Sequence, residues 1–439
     1  MNPEPLQRLL EKIAGRHAVV AVIGLGYVGL PVCLRFAEVG FPAIGLDIDA
    51  AKVKSVRRGQ SYISHIAPAR IAGALRQKTL RASTDMAEVA AADAVILCLP
   101  TPLKGNNEPD MRYVLDTADT IAPHLRPGQI VSLESTTYPG ATEEDLLPRL
   151  VRDGLNVGEN FFLVFSPERE DPANPDYHTA VIPKICGGVT GRCLQAGTAL
   201  YGAIVEQVVP VSGTRAAELS KLLENTYRAV NIALVNELKM LADKMDLDIF
   251  EIVRAAATKP FGFTAFHPGP GLGGHCIPID PFYLYWKARQ YGFDARFIRL
   301  AGEINTAMPA YVIAKIAAAL EAAGKPLARA RILVLGIAYK KNIDDIRESP
   351  GLEIIARLRQ AGAEVQYSDP HVPRTPPTRK HDLGLQSIAV NSATLAQYDC
   401  VAVVTDHDAF DWGLIEKESA LIVDSRGVFA PVAGKIVRA

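Results

Sequence analysis

A glycine-rich turn near the start of the chain places the strongest constraint on its fold. The motif Gly24-Leu-Gly-Tyr-Val-Gly29 follows an apolar run at residues 17–24 and precedes a second apolar segment at residues 30–40. A glycine permits a tight turn and lets another backbone or a ligand come close. We therefore predict a β-strand, a sharp turn and an α-helix, the first unit of a doubly wound α/β fold.

The same turn predicts a dinucleotide site. Asp47 ends the next predicted strand, residues 43–47, where a carboxylate accepts hydrogen bonds from ribose hydroxyls. Because this carboxylate repels a 2′-phosphate, the predicted cofactor is NAD rather than NADP. Lys52 either offsets phosphate charge or is an ordinary surface lysine. The predicted cofactor-binding residues of this region are Gly24, Gly26, Tyr27, Val28, Gly29, Asp47 and Lys52.

The order of strand-like and helix-like segments predicts three domains. Apolar runs alternate with helical segments up to residue 211, as a parallel doubly wound sheet requires. Helical periodicity then dominates, and a second strand–loop–helix series begins at Arg331. The predicted fold is α/β, with two Rossmann-like doubly wound domains joined by a central helical domain. The predicted domains are residues 1–212, 213–323 and 324–439.

Composition argues against several classes of partner. A net charge of −1 does not favour nucleic acid, and no apolar run approaches the roughly 18 residues of a membrane span. Residues 1–13 predict an amphipathic helix rather than a signal peptide. The six cysteines lack metal-ligand spacing and a disulfide framework, so we expect no metal and a reducing, cytoplasmic environment.

One cysteine is distinguished by the loop around it. Cys276 lies in the glycine-rich segment 268–281, with Asp280 four residues later. A thiol in such a loop can be a nucleophile, and the alternative is a buried structural thiol. His275 is adjacent, but neighbouring side chains on a loop often diverge. Together with a hydride acceptor, this thiol predicts an oxidation through a covalent thioester.

Polar residues also follow several predicted strands, at the edge where open parallel sheets bind ligands. Thr101, Thr136 and Glu168 occupy such positions, although serine and threonine also serve as helix caps and an acid can simply be solvated. Lys221 and Asn225 are four residues apart and share one helix face. A lysine facing a site acts as a base or stabilises an oxyanion, and the alternative is a surface lysine.

Taken together, these motifs resemble the UDP-glucose/GDP-mannose dehydrogenase family almost from end to end. The most specific matches are residues 24–29, 218–225, 273–280 and 336–349. The resemblance implies a four-electron, NAD-dependent oxidation of the C6 hydroxyl of a UDP-sugar to the uronic acid. The loop at residues 261–276 is most similar to the branch that acts on UDP-N-acetylglucosamine. The alternatives are UDP-N-acetylmannosamine, UDP-N-acetylgalactosamine and UDP-glucose.

The resemblance also implies residue roles. Cys276 adds to the C6 aldehyde as a thiohemiacetal, which is then oxidised to a thioester. Lys221 and Asn225 stabilise the oxyanion, and Asp280 tunes Lys221 and Cys276 or holds a water. Thr136 and Glu168 position the hydrolytic water. The implied substrate-binding residues are Glu168, Lys221, Asn225, Gly273, Lys340 and Arg426, and the further cofactor-binding residues are Thr101, Thr136 and Arg347.

Two departures from the UDP-glucose enzymes concern the sugar. Pro172 stands where those enzymes have a second glutamate, and Pro260 stands where they place an arginine from a neighbouring subunit. The resemblance therefore predicts a pocket reshaped for a bulkier 2-acetamido sugar. The long apolar helices of the central domain predict a homodimer or higher homo-oligomer.

Two functions of other kinds stay open at this point. A two-electron hydroxyacid dehydrogenase shares the Rossmann-plus-helical arrangement and needs no cysteine. A nucleotide-sugar sensor would bind the ligand without catalysis, although the complete set of Lys221, Asn225, Cys276 and Asp280 argues against it.

Overall fold

The structure, a computed structural model, describes residues 4–63, 66–105, 107–169, 179–274 and 276–439. The chain divides into two units, the first of which contains Met1–Glu224 and Trp286–Gly292. The second contains Asn225–Tyr285 and Phe293–Ala439. The domain boundaries proposed from the sequence stay predictions.

An eight-stranded sheet forms the framework of the first unit. Its strands are β1 (Val20–Ile23), β2 (Ala43–Leu46), β3 (Leu80–Ser83), β4 (Ala94–Leu97), β5 (Gln129–Leu133), β6 (Phe161–Phe165), β7 (Lys184–Gly188) and β8 (Val208–Val211). They follow the order β3-β2-β1-β4-β5-β6-β7-β8. The chain winds outward in both directions from β1, so the predicted doubly wound α/β sheet is confirmed.

The sheet differs from the sequence prediction at one pair of strands. β6 and β7 are antiparallel, whereas the other neighbouring pairs of this sheet are parallel. The intervening residues 166–183 include four prolines, which suit a crossover helix poorly. Parallel strands need such a crossover and antiparallel strands do not, which accounts for the reversal.

Helices cover the sheet, and the first of them confirms the amphipathic helix predicted at the start of the chain. Leu6, Leu9 and Ile13 are its buried side chains, spaced three and four residues apart as one helix face requires. The helices of this part of the chain are α1 (Pro5–Ala14), α2 (Gly29–Glu38), α3 (Ala50–Arg57), α4 (Pro68–Arg76), α5 (Arg112–Ile121), α6 (Leu147–Leu150) and α7 (Gly191–Gly202).

Four further helices follow β8, as the helical periodicity predicted. They are α8 (Thr214–Lys244), α9 (Ile249–Ala256), α10 (Asp280–Gln290) and α11 (Arg296–Ala322). Within the residues that the structure describes, none of the helices is both long enough and apolar enough to cross a membrane.

A second sheet follows in the second unit. Its strands are β9 (Arg331–Leu335), β10 (Glu364–Ser368), β11 (Cys400–Val403), β12 (Ile422–Asp424) and β13 (Ile436–Arg438), and its helices are α12 (Pro350–Gln360), α13 (Ser392–Leu395) and α14 (Trp412–Glu418). The order is β10-β9-β11-β12-β13, with all pairs parallel. The second α/β series predicted from the sequence is therefore confirmed.

Substitution of Gly24 tests whether the first glycine turn needs glycine for its φ angle alone or also for close packing. Gly24 has φ +93°, and a Cβ there would lie 2.2 Å from the carbonyl oxygen of Cys98. Gly40 has φ +94°, and a Cβ there would meet no atom within 4 Å. We expect Gly24→Ala to lose about 1–3 kcal/mol more unfolding free energy than Gly40→Ala, because only the first substitution adds a clash to the unfavourable φ.

Denaturant unfolding of the two variants measures this difference. Equal losses would show that the φ angle alone, rather than the close approach to Cys98, makes glycine necessary in the turn.

Candidate functional site

The glycine turn at the end of β1 has open space on one side and tight packing on the other. A Cβ on Gly29 would lie 1.8 Å from the carbonyl oxygen of Gly24, so glycine is needed there for α2 to start so near the strand. A Cβ on Gly26 would meet no atom within 4 Å. The N-terminus of α2 beside this space favours an anion, so the turn fits the pyrophosphate of NAD.

Asp47 stabilises the same turn. Its Oδ2 accepts a hydrogen bond from the backbone N–H of Leu25 at 2.8 Å, and its Oδ1 accepts one from Asp49 at 2.9 Å. Lys52 donates to Oδ2 at 3.2 Å and its side chain is 36% exposed, so its predicted role toward a phosphate stays a prediction. In the turn itself, the Tyr27 side chain is exposed and that of Val28 is half-buried.

The strand ends of β4 and β5 are linked by a hydrogen bond. The backbone N–H of Leu99 donates to Oγ of Ser135 at 2.7 Å. Thr101, two residues beyond Leu99, is buried, and Thr136, next to Ser135, is half-buried. The structure therefore brings the two predicted threonine-containing segments to neighbouring positions at this edge of the sheet.

Glu168 and Lys221 form an ion pair in the first unit. Their carboxylate and ammonium groups lie 3.6 Å apart, and their side chains are 14% and 7% exposed. Lys221 projects from α8, and its burial excludes the alternative of a surface lysine. A buried ammonium group beside a carboxylate is suited to proton transfer or to stabilising an oxyanion.

Asn225, Cys276 and Asp280 lie in the second unit. Nδ2 of Asn225 donates to Oδ2 of Asp280 at 2.6 Å, and both residues are buried. The backbone N–H of Asp280 donates to the carbonyl oxygen of Cys276 at 2.8 Å, so the cysteine is held just before α10. A helix N-terminus favours a negatively charged group beside it, which suits a thiolate.

Raised thiol pKa values make four of the other cysteines weak candidates for a nucleophile. Cys276 is half-buried, whereas burial raises the pKa of Cys33, Cys186 and Cys400 to about 12. Burial also raises the pKa of Cys98 well above its ordinary value, with the nearby Glu134 carboxylate adding to the shift. These four thiols are therefore poor nucleophiles near neutral pH, and Cys276 is the better candidate.

The loop that contains Cys276 packs against the segment that follows β9 of the second sheet. Gly274 donates its backbone N–H to the carbonyl oxygen of Arg347 at 2.9 Å, and a Cβ on Gly273 would lie 2.5 Å from Cβ of Tyr339. Lys340 follows Tyr339 and is half-buried. The segments that contain the predicted residues Gly273, Lys340 and Arg347 are thus adjacent.

Arg426 contacts the beginning of the same loop. A Cβ on Gly269 would lie 2.8 Å from its guanidinium group, and its Nε donates to the carbonyl oxygen of Val404 at 2.6 Å. Burial lowers the pKa of Arg426 below its ordinary value. An anionic ligand beside this desolvated cation would offset the cost of its burial.

Sequence reasoning missed two α8 residues that hold this loop. Oδ1 of Asn236 accepts from the backbone N–H of Gly269 at 2.9 Å, and Nζ of Lys239 donates to the carbonyl oxygen of Gly269 at 3.1 Å. Their spacing of three residues on a predicted helix was the available signal, since it places both on one face. His275 and Pro172 lie outside the described residues.

Three family models match successive parts of the chain. The NAD binding domain of the UDP-glucose/GDP-mannose dehydrogenase family matches residues 18–205, its central domain residues 215–307 and its UDP binding domain residues 333–431. The matches cover the glycine turn, the cysteine loop and most of the second sheet.

Individual relatives are similar over almost the whole chain. UDP-N-acetyl-D-mannosamine dehydrogenase of Escherichia coli (strain K12) is 35% identical over 429 residues, covering 94% of this chain and 99% of the relative. The structure of UDP-D-ManNAc dehydrogenase from Pyrococcus horikoshii superposes with a TM-score of 0.85 at 32% identity, covering 96% and 98%. NDP-N-acetyl-D-galactosaminuronic acid dehydrogenase from Methanosarcina mazei gives 0.82 at 26% identity, covering 100% and 98%.

Thiol labelling tests the choice of cysteine. In the folded protein, we expect iodoacetamide to modify Cys276 before Cys33, Cys98, Cys186 and Cys400, because burial raises the pKa of those four thiols. Peptide mass spectrometry after brief labelling measures the order, and denatured protein labelled at all six cysteines is the control. Earlier labelling of Cys98 would contradict the assignment.

Proposed function

The chain belongs to the UDP-glucose/GDP-mannose dehydrogenase family, and we propose that it oxidises C6 of UDP-N-acetylmannosamine to the uronic acid. It is an NAD-dependent UDP-sugar 6-dehydrogenase with an NAD-binding Rossmann-like domain, a helical central domain and a UDP-binding domain. The proposal concerns the sugar and the roles of individual residues.

The sugar assignment is supported by the named relatives. The Escherichia coli and Pyrococcus horikoshii proteins are 35% and 32% identical to this chain and are named for UDP-N-acetylmannosamine. They favour the mannosamine alternative over the N-acetylglucosamine preference inferred from the loop at residues 261–276. Both sugars carry a 2-acetamido group, so the predicted pocket for that group is retained. The two substrates differ in configuration at C2.

The half-buried thiol before α10 is the observation that carries the proposed mechanism. Gly24, Gly26 and Gly29 would hold NAD at the glycine turn, where one NAD would supply the hydride acceptor for oxidation of the C6 alcohol and a second NAD that for oxidation of the thiohemiacetal to the thioester. Cys276 adds as a thiolate to the C6 aldehyde, forming a carbon–sulfur bond and an oxyanion. Lys221 and Asn225 stabilise that oxyanion, and their spacing of four residues on α8 directs both to one helix face.

Release of the product requires hydrolysis of the thioester. Glu168 takes a proton from the attacking water, and Thr136 helps to orient that water. Asp280 fixes the amide of Asn225 through the hydrogen bond of 2.6 Å. We assign Gly273, Lys340 and Arg426 to the UDP-sugar, whose phosphates pair with cationic side chains, and Thr101 and Arg347 to the cofactor side.

A homodimer is proposed from an exposed face near the end of α8 that continues to Met245, one residue beyond the helix. Leu234, Leu238, Leu241 and Met245 are between 41% and 58% exposed and are spaced four, three and four residues apart. This heptad spacing is typical of a helix that pairs with another helix. A second copy of the chain presents the same face and is therefore the proposed occupant.

Product stoichiometry tests the reaction. We expect two NADH per UDP-N-acetylmannosamine and a higher kcat/KM for it than for UDP-N-acetylglucosamine, UDP-N-acetylgalactosamine or UDP-glucose. Cys276→Ala should lower uronic acid formation on the order of 10³-fold or more, because the covalent route is lost. Cys400→Ala, which removes a buried thiol of the second unit, is the control. Absorbance and mass spectrometry measure both products.

Each alternative function predicts a different result of that experiment. One NADH per sugar would indicate a two-electron dehydrogenase, and no reduction with any UDP-sugar would indicate a sensor. Preference for another sugar in the panel would overturn the N-acetylmannosamine assignment alone.

Charge substitution tests the dimer. We expect Leu238→Glu combined with Leu241→Glu to convert the dimer to a monomer of 47.3 kDa, because four carboxylates would lie in one apolar contact. Ile48→Glu, at an apolar side chain that is 85% exposed in the first unit, is the control. Sedimentation velocity measures the mass. A wild-type protein that is already monomeric would contradict the proposal.

A further inference from the structure

A buried ion pair lies at the strand ends of the first unit. Nζ of Lys184 donates to Oε2 of Glu134 at 3.0 Å, and the side chains are 9% and 0% exposed. Tyr201 donates its hydroxyl to Oε1 of Glu134 at 2.8 Å. A buried ion pair loses hydration that apolar packing would not lose, so stability alone explains it poorly.

The ion pair is connected to the peptide group before Glu168. Nζ of Lys184 also donates to the carbonyl oxygen of Pro167 at 3.4 Å. The backbone N–H of Glu168 donates to the carbonyl oxygen of Glu134 at 3.4 Å. Both polar groups of the Pro167–Glu168 peptide are therefore held by the two residues of the pair, which restricts the position of the Glu168 side chain.

The same residues line a small cavity. Glu134, Glu168 and Lys184 contribute to its wall, and its volume is about 20 Å³, enough for roughly one water molecule. Lys184 has three N–H donors, of which two have the acceptors just described. The ammonium group also lies 4.7 Å from the centre of the Tyr201 ring. The Glu168 carboxylate on the cavity wall can accept a hydrogen bond from a water held there.

We propose that Glu134 and Lys184 are positioning residues that hold Glu168 and an adjacent water for hydrolysis of the Cys276 thioester. The inference rests on the proposed function. Thr136 lies two residues after Glu134 in the segment that follows β5, and Glu168 lies in the segment that follows β6. The Glu134–Lys184 ion pair therefore connects the segments of both residues assigned to hydrolysis.

The hydrolytic step is balanced without a further reactant. Water forms a bond to the thioester carbon while one of its protons moves to the Glu168 carboxylate. The carbon–sulfur bond then breaks, and Cys276 leaves with the electron pair as a thiolate. Glu168 and the new uronic acid release their protons. Glu168 is also the ion-pair partner of Lys221, but Lys221 stays in place on α8, so a displaced Glu168 slows hydrolysis far more than either preceding oxidation.

The test compares the enzyme with a double variant, Glu134→Gln with Lys184→Met. Both charges are removed together, because a single remaining buried charge would destabilise the fold. Rapid-mixing kinetics should show a burst that keeps its amplitude of two NADH per site, followed by turnover slowed roughly tenfold to a hundredfold. Intact-protein mass spectrometry should show the uronyl adduct on Cys276 accumulating in the variant.

The steady-state constants give a second measurement. When hydrolysis limits turnover, kcat and the KM for the UDP-sugar fall together and kcat/KM is retained. Tyr201→Phe removes the hydroxyl from Glu134 and keeps the ion pair, so we expect a smaller accumulation of the adduct. Glu134→Asp combined with Lys184→Arg keeps both charges and should restore part of the turnover rate.

Gln129 provides the matched control for general destabilisation. It is buried on the same strand, β5, at the opposite end from Glu134, and its amide donates to the carbonyl oxygens of Val89 and Ala92. Gln129→Met should lower thermal stability without accumulating the adduct.

Three results would overturn the inference: unchanged turnover, a burst slowed as much as turnover, or an adduct level equal to that of Gln129→Met. Failure of the proposed function is seen separately, as one NADH per sugar in the wild-type enzyme.

Discussion

A carboxylate at the end of the second strand fixes the glycine turn on which each α/β sheet depends. In the first unit, Asp47 accepts from the backbone N–H after Gly24, and in the second, Asp369 accepts from the N–H after Gly336 at 2.7 Å. Both glycines have positive φ angles, +93° and +77°. The turn therefore depends on a hydrogen bond from the neighbouring strand end as well as on glycine.

Asp369, the carboxylate of the second turn, has a histidine as its side-chain partner. His407 approaches Oδ2 of Asp369 through Nε2 at 3.0 Å, and its Nδ1 accepts from the backbone N–H of Asn342 at 2.9 Å. Nδ1 is thus unprotonated and Nε2 carries the proton. Lys52 pairs with Asp47 in the first unit. The same position in two similar turns is therefore a buried carboxylate with a lysine partner in one sheet and a histidine partner in the other.

Local sequence patterns predicted the structural features that depend only on residues close together in the chain. The glycine turn, the amphipathic α1 and the helix face shared by Lys221 and Asn225 needed no knowledge of distant contacts. The Lys184–Glu134 pair joins residues 50 positions apart, so it depends on the order of β5, β6 and β7. The antiparallel β7 was likewise missed, because strand direction is set by the connection and not by the apolar run itself.

For the same reason, the sequence predicts the type of reaction better than it predicts the sugar. The proposed chemistry depends on specific side chains, such as the thiol of Cys276 and the ammonium of Lys221, and these residues lie in short motifs. Substrates that differ only in configuration at C2 are separated by pocket shape, and a small change of shape alters binding by only about 1–3 kcal/mol. Such energies can arise from several loop positions at once, so a single loop such as residues 261–276 is weak support for a sugar preference. Similarity over the whole chain samples all of those positions together, which is why it favours N-acetylmannosamine over the sugar inferred from the loop alone.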